Sequence, residues 1–501
     1  MEHKKSKKYI IVDFGASNGR VSVGHYDGNL FDLEIIYRFS NKQVFTAGRY
    51  YWDILKLFYE LKMGLILAYH KYKDVTSIAV NTWGLDFGII DKNDKLISNP
   101  VTYRDSSKSE WSPENLFKKI SKNDFYNLTG YFVFNQAAIF YLGKLVDEKS
   151  YEITYGKKML MMPDLFNYFL CGNCTSEYTI ASGTLMVNCL SKKWEDRIVN
   201  SVGISKDFLP PIVNSGTKVG MLLEEICREL EIKPMSVIAA VGHDTASAIA
   251  GIPVVFQNKK WAFLSTGTWL VLGIETVKPI LNINSLKYSL MNEGGVSGRS
   301  FFAKNLTGFW IIQKCLDKWE ADSDKKISWK EIDDVYSNSA PFKSFIDTED
   351  PLFSQNQDNM PKVIQNYCKE NEIPVPESMA EICRCIYESL VMSVRYFFDI
   401  ISKFYNKKVE FMHLMGGGVN NRLFCQWISN VLNIPVFAGP IEATSYGNLL
   451  MQLKADNEIK NIKEGRELSL NSTQLFYYEP MDVEIWEEAY MRYLEIFNKK
   501  V

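Results

Sequence analysis

Residues 10–20 read IIVDFGASNGR, an apolar strand that runs into a glycine turn of small hydroxyl and amide side chains, with a second strand following from Arg20 to Tyr26. The design returns in WAFLSTGTW (261–269) and HLMGGGVNN (413–421). Such turns let the backbone approach an anion, because a missing side chain permits left-handed dihedrals and exposes successive N–H donors. A further stretch, SVIAAVGHDTASAIAGI (236–252), places Asp244 at the corner between an apolar run and a helix-like segment, where a carboxylate is a candidate general base. Three glycine turns and one such acid point to phosphoryl transfer.

Outward from the first turn, Tyr9–Val12, Arg20–Tyr26 and Phe31–Phe39 read as a three-strand meander, with YDGN as one of its turns. Asp53 then caps ILKLFYELKMGLILAYHKY, whose apolar residues recur at helical spacing. VTSIAVNTWGLDFGIIDKNDKLI reads as a buried strand, a turn at Trp83–Asp86, and a hairpin closed by KNDK. From Pro234 the order of elements begins again: strand SVIAAV, strand WAFLS, turn, strand WLVLGIE, then a helical NLTGFWIIQKCLDKW. This is a weak internal duplication without fixed period, and it predicts two domains, 1–235 and 236–501. Residues 322–375, rich in Asp, Lys, Ser and Asn, read as mobile connections and short helices.

With 501 residues, two large domains are expected. Hydrophobic residues make up 46% and charged residues 23%, and no run approaches the roughly 18 apolar residues of a membrane span. A net charge of −2 favours neither nucleic acid nor a membrane surface. The lysine cluster of MEHKKSKK reads as a solvated terminus and is not followed by a signal-peptide core, so a cytoplasmic location is expected. Nine cysteines without regular spacing fit reduced thiols. Cys171 and Cys174 have CxxC spacing but no second pair to complete a zinc site, and read as a turn; Cys383 and Cys385 fall in a long helical pattern and read as packing residues.

In the first turn, Asp13 offers a carboxylate for a hydrated Mg²⁺, Gly15 to Gly19 a phosphate cradle, and Arg20 a compensating guanidinium. Ser265, Thr266, Gly267 and Thr268 are suited to the same phosphates, and Gly416, Gly417 and Gly418 would let an adenine or ribose lie against the backbone. No GxxxxGK[ST] loop exists, and GGGVNN lacks the dinucleotide spacing, so P-loop and hydride-transfer readings are set aside.

The ordered set VDFGASNGR, NTWGLDF, VTYRDSS, MMPDLFNYFL, GHDTASAIA, LSTGTW, NEGG, KNLTGFWIIQ, LMGGGVNN and AGPIEATSYGN resembles the FGGY carbohydrate kinases over nearly the whole chain. The resemblance implies an α/β fold of two ribonuclease-H-like domains, of the actin and hexokinase ATPase type, with an interdomain active-site cleft. It also implies transfer of the γ-phosphoryl group of ATP, with Mg²⁺, to the C1 hydroxyl of a small ketose. The HDT and TWGLDF wording suits the deoxyketose branch, L-rhamnulose first, with L-fuculose or another ketose as the alternative. A non-catalytic sugar sensor is the second alternative, and the family permits a monomer or homodimer.

Carried over by position, Asp244 resembles the family's proton acceptor, flanked at the sugar by His243 and Thr245. Gly84 and Asn305 match further sugar contacts, and Asp86 is added as a hydrogen-bonding carboxylate. For ATP the matching positions are Ala16, Ser17, Asn18, Gly19, Arg20, Thr268, Gln313 and Gly417, with Asp13 as an outer-shell partner of Mg²⁺. The chain departs from the family's wording at Asn18, Gly242 and Val419, side-chain changes that leave the backbone donors of the turns in place. Trp83, Trp269 and Trp310 read as packing residues and Asp164 as a helix cap; Tyr103, Arg104 and Asp105 read equally as pocket rim or ion pair.

Overall fold

The computed structural model describes residues 6–500. Its contacts separate two compact units: residues 1–255, 275–302 and 442–473 form the first, and 256–274, 303–441 and 474–501 the second. The expected division after residue 235 therefore falls inside the first unit. The reason is strand pairing: Ser236–Ala239 adds in parallel to Ser77–Thr82, so the segment leading to Asp244 completes the first sheet.

That sheet has six strands in the order Thr217–Met221, Ser236–Ala239, Ser77–Thr82, Lys7–Phe14, Asn18–Tyr26 and Phe31–Ser40. The expected meander forms its antiparallel side, with Asp13 opposite Arg20 and Phe14 opposite Gly19. On the other side Lys7–Phe14 pairs in parallel with Ser77–Thr82, which sets Asp13 beside Asn81. Alternation sends Ile10, Val12 and Phe14 to one face, where they share a core with Leu57, Leu61 and Leu65 of the helix Ile54–Tyr72. The Asp53 side chain caps this helix by accepting from the Lys56 N–H at 3.2 Å. All three leucines are at most 2% exposed, and truncating one to alanine would cost about 2–5 kcal/mol.

A second pair of helices fixes the corner at Asp244. Asp244–Gly251 packs on Ala443–Ala455 with almost no side chain between them: a Cβ on Gly447 would stand 1.9 Å from the Ser247 carbonyl oxygen, and one on Gly251 2.4 Å from that of Ala443. The small residues of ASAIAG serve this close approach.

In the second unit, Trp261–Thr266 pairs antiparallel with Trp269–Thr276 and in parallel with Phe411–Gly416, which continues through Val436–Ala438 to Phe476–Tyr478. Each unit thus contains a hairpin whose first strand takes a later strand in parallel, the local pattern the weak duplication anticipated. The pattern AEICRCIYESLVMSVRYFFDII lies within the 27-residue helix Met379–Tyr405, where Cys383 and Cys385 are both buried.

Three expectations change. Phe87–Asp91 pairs mainly with Gly156–Met161, so KNDK returns the chain only to an isolated bridge between Ile90 and Leu96. Asn305–Thr307 ends the strand Ser300–Thr307, and the helix begins at Trp310, because Gly308 must pass so near Thr268 that a Cβ would lie 2.8 Å from its carbonyl oxygen. Of the terminal lysine cluster, residues 1–5 lie outside the described residues; Lys7 is on the first strand, 2.6 Å from both Asp456 and Glu458. Residues 322–375 hold short helices, as expected, at Trp329–Ser337, Pro351–Ser354 and Met360–Glu370. No helix among the described residues is long and apolar enough to cross a membrane.

Candidate active site

Asp244 is the first residue of its helix. Its Oδ1 accepts from the Thr245 N–H at 2.6 Å and from the Thr245 hydroxyl at 3.3 Å, and lies 3.4 Å from His243 Nε2. Oδ2 has no partner among the described residues, and the side chain keeps 36% of its surface exposed. Water still reaches one side, yet desolvation on the other raises the carboxyl above the ordinary carboxylate value; His243 opposes the rise and Asp13 adds to it.

The corner before Asp244 is held from beneath by Glu177, which sequence reasoning missed. Its buried carboxylate accepts from the Gly242 N–H at 2.9 Å, from the Thr179 N–H at 3.0 Å, and from the hydroxyls of Thr179 and Ser215. The Thr179 hydroxyl in turn accepts from the His243 N–H at 3.3 Å, and the Gly242 carbonyl accepts from the Thr82 N–H at 2.9 Å. The strand Ser77–Thr82 and the corner before Asp244 are thereby in register. On the far side of that strand's turn, a Cβ on Gly84 would lie 3.3 Å from His243 Nε2, so Gly84 lies against His243, with Asp244 and Thr245 next to it in the chain. Leu85 sits at φ +80°, an uncommon conformation for a side-chain-bearing residue and a local cost of the turn.

Asp86 is placed differently from the expectation. It has no exposed surface; its Oδ2 accepts from the indoles of Trp52 at 2.6 Å and Trp83 at 2.9 Å, and its Oδ1 from Lys108, which is itself 1% exposed. Its oxygens are thus occupied by protein donors, and its work here is to fix the turn carrying Trp83 and Gly84. The ammonium of Lys108 lies 5.2 Å from the centre of the Tyr141 ring. Asp164 does not cap its helix from the N-cap position: it is buried within Met162–Cys171 and accepts from Ser176 and from the Glu177 N–H.

The first glycine turn closes through the Gly15 N–H on the Asn18 carbonyl at 2.8 Å, leaving Ser17 and Asn18 exposed. Asp13 accepts from Asn81 at 2.6 Å on Oδ1 and from Arg20 at 2.6 Å on Oδ2; Arg20 also pairs with Glu442. The guanidinium predicted to face phosphate is therefore bracketed by two carboxylates. Behind Asn81 runs a buried amide chain: Asn448 donates to Asn81 Oδ1 at 2.9 Å, Gln452 to Asn448 Oδ1 at 2.8 Å, and Ser77 to Gln452 Oε1 at 2.6 Å. These partners lie more than 360 residues from Asn81 and Ser77 and carry no sequence signal beyond the motif AGPIEATSYGN. As a magnesium partner Asp13 is a hard oxygen ligand with unused lone pairs, which fits a hydrated ion held mainly by phosphate; no group of three or more acidic, histidine or cysteine ligands exists among the described residues.

The remaining expected residues, Thr268, Asn305, Gln313 and Gly417, belong to the second unit. There the Thr266 hydroxyl donates to the Met415 carbonyl at 2.6 Å and accepts from the Gly418 N–H at 3.0 Å, locking the two turns together. The three glycines differ in what they tolerate. Gly416 has φ +88° and a Cβ would be 2.4 Å from the Thr266 carbonyl oxygen; on Gly418 one would strike Phe309 at 2.6 Å; on Gly417 it would meet nothing within 4 Å. Gly417 therefore opens to space on a rigid backbone, while Thr268 and Asn305 are exposed and Gln313 is half-buried in the first turn of its helix.

Residues 8–251 match the N-terminal domain, and 262–455 the C-terminal domain, of the FGGY family of carbohydrate kinases. A rhamnulokinase of Bacteroides thetaiotaomicron is 34% identical over 97% of this chain and 99% of its own, and one of Enterococcus faecalis 33% identical over 96% of each. Among solved structures, a xylulose kinase of Lactobacillus acidophilus has a TM-score of 0.78 over 98% of both chains at 15% identity, and glycerol kinase of Plasmodium falciparum with ADP one of 0.73 over 99% of both, also at 15%. The fold is shared at those identities, and the two family domains account for most of the sequence. An exposed glycine turn, a carboxylate with one free oxygen and an open glycine triplet thus sit on a chain that belongs to the FGGY family of carbohydrate kinases.

Proposed function

We propose that this chain transfers the γ-phosphoryl group of ATP to the C1 hydroxyl of L-rhamnulose, giving L-rhamnulose 1-phosphate. The observation that carries the proton-acceptor role is the geometry of Asp244: Oδ1 is held by Thr245 beside His243, and Oδ2 is free and accessible. The choice of sugar is supported by the rhamnulokinases to which the chain is similar from end to end.

In this reading the sugar hydroxyl gives its proton to Asp244 Oδ2 as its oxygen forms a bond to phosphorus and the bond to ADP breaks. Gly84, His243 and Thr245 orient the ketose, with Asn305 as a further contact. Ala16 to Arg20, Thr268, Gln313 and Gly417 hold ATP, the turns through backbone donors. Asp13 would be an outer partner of Mg²⁺, which when bound would supply charge neutralisation on the phosphates. A loose phosphoryl transition state asks the protein chiefly for alignment and electrostatics, and a positioned base adds roughly 10²–10⁴ in rate.

The test is ADP release with Mg²⁺ATP over L-rhamnulose, L-fuculose, L-ribulose, xyluloses and glycerol, with Asp244→Asn in parallel. The expected outcome is a clear preference for L-rhamnulose and a kcat lower by about 10²–10⁴ in the variant, with ATP KM little changed. Preference for L-fuculose would reassign the sugar and keep the chemistry. Asp244→Asn retaining more than about half of the wild-type rate would remove the base, and silence on every sugar would favour a sensor.

A further inference from the structure

Asp244 has a neighbour that is itself held from behind. His243 lies between two carboxylates, with Nε2 3.4 Å from Asp244 Oδ1 and Nδ1 3.3 Å from Glu293 Oε2. Glu293 is on the strand Met291–Gly294, whose four residues are all buried, and its side chain is 11% exposed. We propose that Glu293 is a positioning residue for the transfer: it fixes the His243 ring and keeps it an imidazolium, which holds Asp244 as a carboxylate with Oδ2 turned to the substrate. The proposal rests on the reading of Asp244 as the proton acceptor.

The geometry supplies the argument. A neutral imidazole has one N–H and one lone pair, so with acidic oxygens at both nitrogens one contact would set lone pair against lone pair; only the doubly protonated ring is attracted to both. Burial disfavours that charge first, but Glu293, Asp244 and Glu177 together hold the ring at about 9. The charge then counters the desolvation and the Asp13 repulsion that raise the Asp244 carboxyl. Other titratable groups facing the cluster are Tyr103, toward Asp244, and Tyr131, toward Glu293. Glu177 adds the smallest of these contributions to the ring, and its hydrogen bond from the Gly242 N–H sets the backbone. During transfer the His243 protons stay in place: the hydroxyl proton goes to Asp244 Oδ2, and no bond to Glu293 or His243 is made or broken.

The test is Glu293→Gln, isosteric and uncharged, followed by NMR. The chain has five histidines, so imidazole signals are few enough to assign. The His243 midpoint should fall from about 9 toward the ordinary value of about 6.5. The Asp244 ¹³Cγ midpoint should rise, and the acid limb of kcat/KM should move up with it while ATP KM stays constant. Should Glu293→Gln not fold, His243→Gln must produce the same rise at Asp244. A His243 midpoint unmoved in Glu293→Gln overturns the proposal, as does one that falls while Asp244 stays where it was. Both titrations run without sugar, so failure to turn over any ketose would count against the proposed function and leave this relay measured on its own terms.

Discussion

Replacing Asp86 by asparagine keeps the shape of the side chain and removes the charge that Lys108 needs. Asp86 has no exposed surface and Lys108 is 1% exposed, so water cannot take the place of the lost partner. Removing one member of a buried ion pair costs about 3–5 kcal/mol, because the remaining charge is stranded. With its amide oxygen in the place of Oδ2 the asparagine can still accept from both indoles, Trp52 and Trp83, but its NH2 then faces the Lys108 ammonium, a donor-against-donor contact that adds to the loss. These costs overlap, and the stranded ammonium dominates. Urea unfolding followed by far-ultraviolet CD and tryptophan fluorescence should show the transition shared by both probes destabilised by about 3–5 kcal/mol. Adding Lys108→Met, which keeps the length of the side chain without its charge, should recover at least half of that loss. The sugar KM should rise, because the turn carrying Trp83 and Gly84 loses its anchor, and ATP KM should not. A single variant within about 1 kcal/mol of wild type, or a double variant no more stable than the single, would refute the reasoning.

Two further outcomes follow from residues already placed. Gly416→Ala should destabilise the fold, since φ +88° and the Thr266 oxygen both oppose a side chain, whereas Gly417→Ala should unfold like wild type and raise ATP KM; a neutral Gly416→Ala in thermal unfolding would contradict the packing. His243 has its folded value raised to about 9 from an ordinary 6.5, so its share of stability is fully present below about pH 6.5 and is lost as pH rises through about 9. Wild type should accordingly lose more unfolding free energy than His243→Gln between those pH values, and equal losses would exclude the ion pairs.

Much of this was legible in the sequence because it is local. The meander, the Asp53 cap and the triple-glycine turn each depend on residues within a few positions of one another, where spacing and turn chemistry decide the outcome. The HDT corner was legible as well, but its domain was not, since membership is set by parallel pairing of Ser236–Ala239 with a strand some 160 residues earlier. Asp86 shows the limit most clearly. A carboxylate in a glycine turn has the same letters whether it meets a sugar or a buried lysine, and only the fold brings Lys108 and Trp52 to it. Glu177 and Glu293 stood in the sequence as ordinary acids; their meaning comes from Gly242 and His243, which lie 65 and 50 positions away.

The amide chain from Asn81 through Asn448 to Gln452 also bears on how the protein is made. The first unit includes residues 442–473, so a nascent chain that has left the ribosome only as far as residue 441 cannot yet close it. Until then Ser77 and Asn81 have no Gln452 or Asn448 to bond, and the helix of Asp244 lacks the helix against which its Gly251 fits. The first unit is therefore closed late in synthesis by its third segment and is not a finished amino-terminal body beforehand, and fragments ending before residue 455 should be substrates for chaperones and proteases in place of ketoses.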